Sequence, residues 1–241
     1  AYMQEYPEYK FACSQAYQYS IIKENNPDLY ARIKKAVKAG QFIPVGGTWI
    51  EPDCNIPSGE SLIRQFVHGQ RFFEKEFGIR CKEFWNPDVF GYNGQLPQIM
   101  KLAGIERFLT QKLSWNRFTQ PLYHTFDWEG IDGSKVLAHF PPANTYNAMA
   151  SIAQLRENVR NYKDHDRSTQ SLMLFGYGDG GGGPTRQMIE TLRRVKDLQG
   201  VPRTEIRSSD DFFERLEKDV VNRPVVVGEL YFELHRGTYT S

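Results

Sequence analysis

The chain has 241 residues, 40% of them hydrophobic and 24% charged, and it is long enough to bury a sizeable core in one α/β domain. Its 30 basic and 29 acidic residues leave a formal net charge of +1, which excludes a general electrostatic attraction to nucleic acid or to an anionic membrane. The longest purely aliphatic run is Val225–Val227, so the sequence predicts no transmembrane helix.

Short apolar strands alternate with longer helical segments along the chain. In order, we predict strands at Lys10–Cys13, Phe42–Val45, Phe84–Trp85, Arg107–Thr110, Leu172–Phe175 and Val225–Val227, and a β-hairpin of Thr125–Glu129 and Val136–Phe140 around Asp132-Gly133. The predicted helices are a segment ending near Glu24, Pro27 to about Gly40, Ser61–Phe77, Pro97–Ala103, Ile152–Tyr162, Pro184 to about Leu198, and a last one from Ser209. This alternation predicts a single α/β domain over residues 1–241, with a largely parallel, barrel-like sheet.

Two helices carry clear sequence signals. Asn26 before Pro27 is typical of a helix start, because Asn caps free N–H groups and Pro fits the first turn. The helix Ser61–Phe77 is predicted to bury one face, comprising Ile63, Phe66, Val67 and Phe73.

The stretch EFWNPDVFGYNGQLPQIM, from Glu83 to Met100, is the centre of the functional argument. A strand stops at Asn86-Pro87, presents the single acid Asp88, and leads through a glycine turn into a helix. Parallel α/β folds build their sites at the carboxyl ends of strands. Asp88 is therefore a candidate catalytic group, although an Asp in this position also serves simply to cap a turn.

If the strands run parallel, the loops after them share one edge. Those loops bring Asp88, Asp179 and His235 together, with Trp49, Glu51 and Asp53 nearby. A carboxylate pair suits glycoside hydrolysis, and a histidine with a carboxylate suits a divalent metal.

Each of these candidates has a structural alternative. His235 could be a hydrogen-bonded structural residue, and Trp49 could pack in the core instead of stacking on a sugar. The run Gly180 to Gly183 lacks the GK[ST] ending of a nucleotide-binding loop, and suits close backbone approach to a polar ligand. The remaining histidines, His68, His124, His139 and His165, show no metal-binding spacing and are interpreted as structural or surface residues.

Several long motifs, in order, carry a family resemblance. They are GGTWIEPDCNIPSGESLIRQF, WNPDVFGYNGQLPQIM, FLTQKLSW, FGYGDGGGGPT and GELYFELHRGTYTS. Together they resemble the catalytic domain of glycoside hydrolase family 38 α-mannosidases of the cytosolic/vacuolar type. The resemblance implies a retaining, exo-acting α-mannosidase that is built on a seven-stranded β/α barrel and acts on mannose-containing oligosaccharides. It also implies a cytoplasmic location, with a vacuolar or lysosomal location as the alternative. A homo-oligomer of the full-length protein is left open.

The resemblance also implies roles for individual residues. Asp88 matches the nucleophile, which also binds the metal; Asp179 matches the acid/base, and His235 matches a metal ligand. The metal would be zinc, or alternatively cobalt. The substrate-binding candidates are Trp49, Glu51, Asp53 and Tyr146. A retaining mechanism predicts the two catalytic carboxyl groups about 5–5.5 Å apart.

One family feature is missing from the sequence. The family's first strand carries an HxD pair of metal ligands, and no HxD occurs here. The chain also begins at Ala1 without an initiator Met and ends within a motif-rich segment, so we expect a catalytic-domain fragment lacking its first strand. With two of four expected protein ligands, this chain is predicted to bind metal weakly and to turn over poorly. The alternatives are a metal-dependent carbohydrate deacetylase and a catalytically silent carbohydrate-binding domain.

Overall fold

A computed structural model describes residues 2–234 of the chain. Its helices are α1 (Tyr2–Glu5), α2 (Ala16–Asn25), α3 (Pro27–Lys38), α4 (Gly59–Phe77), α5 (Leu96–Leu102), α6 (Ile152–Asn161), α7 (Arg186–Val195) and α8 (Ser209–Asp219), with one 3₁₀ helix at Lys112–Trp115. Its strands are β1 (Phe11–Cys13), β2 (Phe42–Pro44), β3 (Glu83–Trp85), β4 (Arg107–Leu109), β5 (Thr125–Glu129), β6 (Lys135–His139) and β7 (Val225–Val227). The α/β alternation predicted from the sequence is confirmed.

The described strands form two sheets. Strands β1 and β2 pair in parallel, and a larger sheet has the order β3-β4-β6-β5-β7. Strands β3, β4 and β6 run parallel to one another, whereas β5 pairs antiparallel with β6 as the predicted hairpin. The sheet is therefore mixed but mostly parallel, and the carboxyl ends of β3, β4 and β6 meet at one edge.

Two strand predictions need correction. Residues 172–175 do not form a strand; only Phe175 pairs, in an isolated parallel bridge with Ala148. Strand β7 follows the direction of β5, so it ends at the edge opposite to the ends of β3, β4 and β6. The chain after β7 then returns, because Leu230 pairs antiparallel with Tyr92. The last described residues approach the Asp88 loop by this return and not, as predicted, directly from a strand end.

Local signals explain where the longer helices begin and end. The Asn26 side chain accepts a hydrogen bond from the Leu29 N–H (3.1 Å) with Pro27 in the first turn of α3, as predicted. Ser58 caps α4, and Gly78 ends it in the left-handed conformation (φ 68°), which glycine adopts without steric cost.

The face that α4 buries differs from the predicted one. Leu62, Phe66 and Phe73 are buried, whereas Ile63 is 43% exposed and Val67 is half-buried. The buried positions share their face with Gly69, where the backbone of Thr48 packs directly on the helix. The centre of the core lies on the larger sheet, in a cluster that includes Trp128, whose ring centroid is 4.9 Å from that of Phe108.

An ion network around the buried side chain of Arg107 connects α8 to the sheet. The Arg107 guanidinium, on β4, donates to Glu217 (2.8 and 2.9 Å) and to Asp210 (3.2 Å). Beside it, Ser209 donates to the carboxylate of Glu83 on β3. Burial, reinforced by the charge of Asp210, raises the pKa of Glu83 to about 7.

In the part of the chain that the structure describes, no helix is long and apolar enough to cross a membrane.

Candidate active site

Asp88 lies where β3 ends, on a loop that is fixed to the end of β4. The Asn86 N–H donates to the Leu109 carbonyl (2.9 Å), and the Lys112 N–H donates to the Pro87 carbonyl (3.0 Å). These bonds extend the parallel β3–β4 pairing past the ends of both strands. The sequence therefore places Asp88 at the carboxyl edge of the sheet, where it was predicted.

Lys112 forms an ion pair with the carboxylate of Asp88. Its side chain is only 3% exposed, whereas that of Asp88 is 38% exposed, so the acid faces solvent while the cation is held beneath it. Aromatic rings surround the ammonium group: the Lys112 Nζ lies 3.7 Å from the ring centroid of Trp115 and 5.2 Å from that of Phe90. Cation–π contacts of this kind help to offset the cost of burying a charged group.

Tyr146, a predicted substrate-binding residue, lies beside this pair. Its hydroxyl interacts with Asp88, and the Lys112 Nζ is 5.8 Å from its ring centroid. Burial, followed by the negative charge of Asp88, raises the pKa of Tyr146, so the hydroxyl keeps its proton and can donate it in a hydrogen bond. The structure thus brings Tyr146 to Asp88 from the loop after β6.

Asp179 lies on an exposed glycine-rich loop close to Tyr146. It adopts a left-handed backbone conformation (φ 55°), and the preceding Gly178 N–H donates to the Asn147 side-chain oxygen (2.9 Å). A Cβ at Gly178 would lie 2.4 Å from that oxygen, so any larger residue here would have to displace the Asn147 side chain. The charge of Asp179 contributes to the raised pKa of Tyr146, as that of Asp88 does, so both acids act on the same hydroxyl.

Glu51 is a third acid in the same electrostatic environment. It is half-buried, and the Ser14 hydroxyl donates to it. Burial raises the pKa of Glu51 to about 7, and the charge of Asp88 adds to the effect. Glu51 therefore exchanges its proton near neutral pH, in contrast to an ordinary glutamate.

Trp49 and Asp53 have structural partners of their own. The Trp49 ring lies 6.0 Å from the rings of Tyr17 and Phe72. One carboxylate oxygen of Asp53 accepts the N–H groups of Asn55 (2.7 Å) and Ile56 (2.9 Å), which makes a local turn. Their roles in substrate binding remain predictions.

The described residues do not complete a metal centre. His235, the predicted histidine ligand, lies outside residues 2–234. Within that range no group of three or more His, Cys, Asp or Glu side chains could hold a metal ion. Asp88, the one predicted ligand described, supplies a carboxylate oxygen of the right chemistry but pairs with Lys112.

The structural interpretation of the buried histidines is confirmed. His139 bonds to the Thr125 hydroxyl through Nδ1 (3.0 Å) and accepts the Leu172 N–H through Nε2 (3.2 Å). Burial lowers the pKa of His124 to about 4 and that of His139 well below its ordinary value, so both are neutral.

Lys112 is the functional candidate that sequence reasoning did not single out. It lies within FLTQKLSW, three residues after the end of β4, and a lysine at the carboxyl edge of a buried strand is the signal that could have identified it. With it, the site comprises an acid held by a buried cation, a hydroxyl donor and a second, exposed acid. This arrangement can supply a fixed nucleophile and a separate proton donor, as in glycoside hydrolases.

Comparison with known proteins agrees with this class. Residues 1–235 match the family model described as the glycosyl hydrolases family 38 N-terminal domain. The chain therefore belongs to glycoside hydrolase family 38, and the family resemblance found in the sequence is confirmed.

Three known proteins illustrate the similarity. "Alpha-mannosidase G" of Dictyostelium discoideum is 58% identical over 240 residues, which is 100% of this chain and 22% of that protein. Human "Alpha-mannosidase 2C1" is 52% identical over 239 residues, or 99% of this chain and 23% of that protein. The crystal structure of an α-mannosidase from Enterococcus faecalis V583 has a TM-score of 0.80 at 22% identity, covering 95% of this chain and 27% of that one, and shows the shared fold. The chain thus spans less than a quarter of the length of these two curated relatives.

Proposed function

We propose that the protein carrying this chain is a retaining, exo-acting α-mannosidase that removes terminal α-mannose from oligosaccharides. The observation that carries the proposal is the ion pair between Asp88 and the buried Lys112 at the carboxyl edge of the sheet, with the Tyr146 hydroxyl interacting with Asp88. The relatives' names support mannose as the sugar.

In the proposed mechanism, the Asp88 carboxylate attacks the anomeric carbon of the terminal mannose and forms a covalent glycosyl-enzyme. Asp179 gives its proton to the leaving oxygen, and in the second step it takes a proton from the water that breaks the ester. Lys112 holds the Asp88 carboxylate in a fixed orientation. Because Asp88 regains its charge when the ester breaks, Lys112 also stabilises it as the leaving group of the second step.

Several finer features belong to the same proposal. The hydroxyl of Tyr146 and the acids Glu51 and Asp53 would hydrogen-bond the sugar hydroxyls, and Trp49 would contribute an aromatic surface. A divalent metal, zinc or cobalt, would have Asp88 and His235 among its ligands and would bind neighbouring sugar hydroxyls. We further propose that residues 1–241 are one part of a seven-stranded β/α barrel in a cytoplasmic enzyme, with a vacuolar or lysosomal location and homo-oligomerisation as alternatives.

The test compares Asp88→Asn and Asp179→Asn with wild type, in the full natural protein that carries this chain. Asp166→Asn is the matched control, since its side chain is 68% exposed. We expect Asp88→Asn to abolish hydrolysis of an aryl α-mannoside. Asp179→Asn should lower kcat by about 10²–10⁴ on an oligosaccharide, and by less on an aryl mannoside, whose leaving group needs little protonation.

The stereochemistry of the first product, followed by NMR, separates the alternatives. Retained α-mannose supports the proposal, whereas β-mannose as the first product, or normal turnover by Asp88→Asn, contradicts it. Release of acetate from acetylated sugars in place of mannose would identify the deacetylase. Mannose binding that survives Asp179→Asn, without hydrolysis by any version of the protein, would identify a binding domain.

A further inference from the structure

Tyr92 lies where three segments of the candidate active site meet. It is 1% exposed and belongs to the core on the larger sheet, with its ring centroid 5.0 Å from that of Phe108 on β4. Its backbone exchanges two hydrogen bonds with Leu230 (3.1 and 2.9 Å), on the segment that returns after β7. Packing of the ring and pairing of the backbone together fix the place of the hydroxyl group.

That hydroxyl lies inside the turn that carries Asp88. It is 2.8 Å from the carbonyl oxygen of Asn86 and 3.0 Å from that of Val89, so its proton is shared between two residues that flank Asp88. Because this proton is already used, the hydroxyl of Thr110, directly after β4, donates to the Tyr92 oxygen. Burial raises the pKa of Tyr92 well above its ordinary value, so the group remains a donor.

The hydrogen bonds of this loop act on both sides of Asp88. Those from the end of β4 act before it, at the Asn86 N–H and the Pro87 carbonyl. The Tyr92 hydroxyl also reaches the Val89 carbonyl, which comes after it. A carboxylate on a turn keeps a fixed direction only when the backbone on each side of it is held, because the Cβ moves with the peptide planes that flank it. The Tyr92 hydroxyl is the group that joins the two sides.

We propose that Tyr92 is a positioning residue for Asp88, whose hydroxyl sets the turn from Asn86 to Val89 and thereby directs the Asp88 carboxylate at the anomeric carbon. Tyr92 is too deeply buried to contact the sugar, so it acts through Asp88. This assignment rests on the proposed function and deepens it, because it names the buried group that sets the geometry of the first chemical step.

The experiment uses the full natural protein. Tyr92→Phe keeps the packed ring and removes the hydroxyl, whereas Thr110→Val leaves both carbonyl bonds of Tyr92 and removes the bond that its oxygen accepts. The matched control is Tyr30→Phe, because Tyr30 is also buried (5% exposed) and its hydroxyl donates to Glu76 (2.9 Å) between α3 and α4. The readouts are kcat and KM on an aryl α-mannoside, at a temperature at which thermal unfolding shows every variant to be folded.

We expect Tyr92→Phe to lower kcat about 10- to 100-fold and to change KM by less than about twofold, because the sugar still binds but the attacking carboxylate is misplaced. Thr110→Val should lower kcat in the same direction by a smaller factor, and Tyr30→Phe should keep the wild-type kcat. A purely structural role would give the Tyr92 and Tyr30 variants the same behaviour, with lower unfolding temperatures and wild-type kcat, and that result would overturn the assignment. If Tyr92→Phe does not fold, wild-type kcat in Thr110→Val overturns it instead.

Failure of the proposed function would look different, because the wild-type protein would then hydrolyse no mannoside. Crystal structures of wild type and Tyr92→Phe would in that case test the positioning role directly. We expect the Asp88 carboxylate of Tyr92→Phe to move beyond about 4 Å from the Lys112 ammonium, the limit of an ion pair. A carboxylate in the same place in both structures would overturn the assignment.

Discussion

Replacing Lys112 with methionine tests whether the buried cation fixes Asp88. Breaking a fully buried ion pair by removing one partner costs about 3–5 kcal/mol, because the other charge is left uncompensated. Here the Asp88 side chain is 38% exposed, so water replaces part of the lost interaction. Methionine also fills a similar volume and keeps a favourable contact with the Trp115 ring, so the cavity contribution is small. We therefore expect a loss of about 2 kcal/mol in the free energy of unfolding.

The stability assay is urea unfolding of wild type and Lys112→Met, with Lys101→Met as control. Lys101 also pairs with an acid, Glu106 at 3.1 Å, but both side chains are exposed (40% and 69%), so its replacement should change stability by less than about 0.5 kcal/mol. In the full natural protein, Lys112→Met should lower kcat on an aryl α-mannoside by about 100-fold, since small misplacements of a reacting group have effects of that size. Lys112→Met with wild-type stability and wild-type turnover would refute the role assigned to the pair.

Two further predictions concern the scaffold. The pKa of Glu83 is raised from 4.5 to about 7 in the folded chain, so the folded state binds more protons than the unfolded state between these two pH values. The free energy of unfolding should therefore fall by up to about 3 kcal/mol as the pH rises from 4.5 to about 7. Glu83→Gln, which can still accept from Ser209, should remove this dependence in urea titrations between pH 4.5 and 8; an unchanged pH profile would contradict the assignment. Gly69→Ala should destabilise the chain by about 1–3 kcal/mol, although alanine normally favours helix, because its Cβ would lie 2.3 Å from the Thr48 carbonyl carbon. Gly59→Ala in the same helix, where no atom is closer than 3.9 Å, is the control, and thermal unfolding that ranks the two variants equally would count against the packing argument.

Much of the fold could be predicted because its signals are local. Each of these signals acts on neighbouring residues. A helix cap forms at Asn26-Pro27, polar and apolar residues alternate along β5, and the glycine turn at Asp132-Gly133 relies on backbone freedom. The position of Asp88 at the end of a short apolar strand belongs to the same class of signal. The segment around Phe175 was predicted as a strand for its apolar run, but an apolar run does not supply the partner that a strand needs.

The candidate site was only partly predictable. The long motifs identified Asp88 and Asp179, but nothing in the sequence paired Asp88 with Lys112 or brought the Tyr146 hydroxyl to it. The ionisation of Glu51 was equally hidden, because its raised pKa arises from burial and from the charge of Asp88, 37 positions along the chain.

The family, most of the order of strands and helices, and the position of Asp88 at a strand end could be read from the sequence alone. The direction of β7, the return of the chain along Tyr92 and the buried cation at Lys112 became visible only in the folded chain. The physical reason is the range of the interactions. Caps, turns and hydrophobic periodicity act over a few residues, whereas ion pairing, desolvation and strand pairing depend on groups that meet only when distant segments pack together.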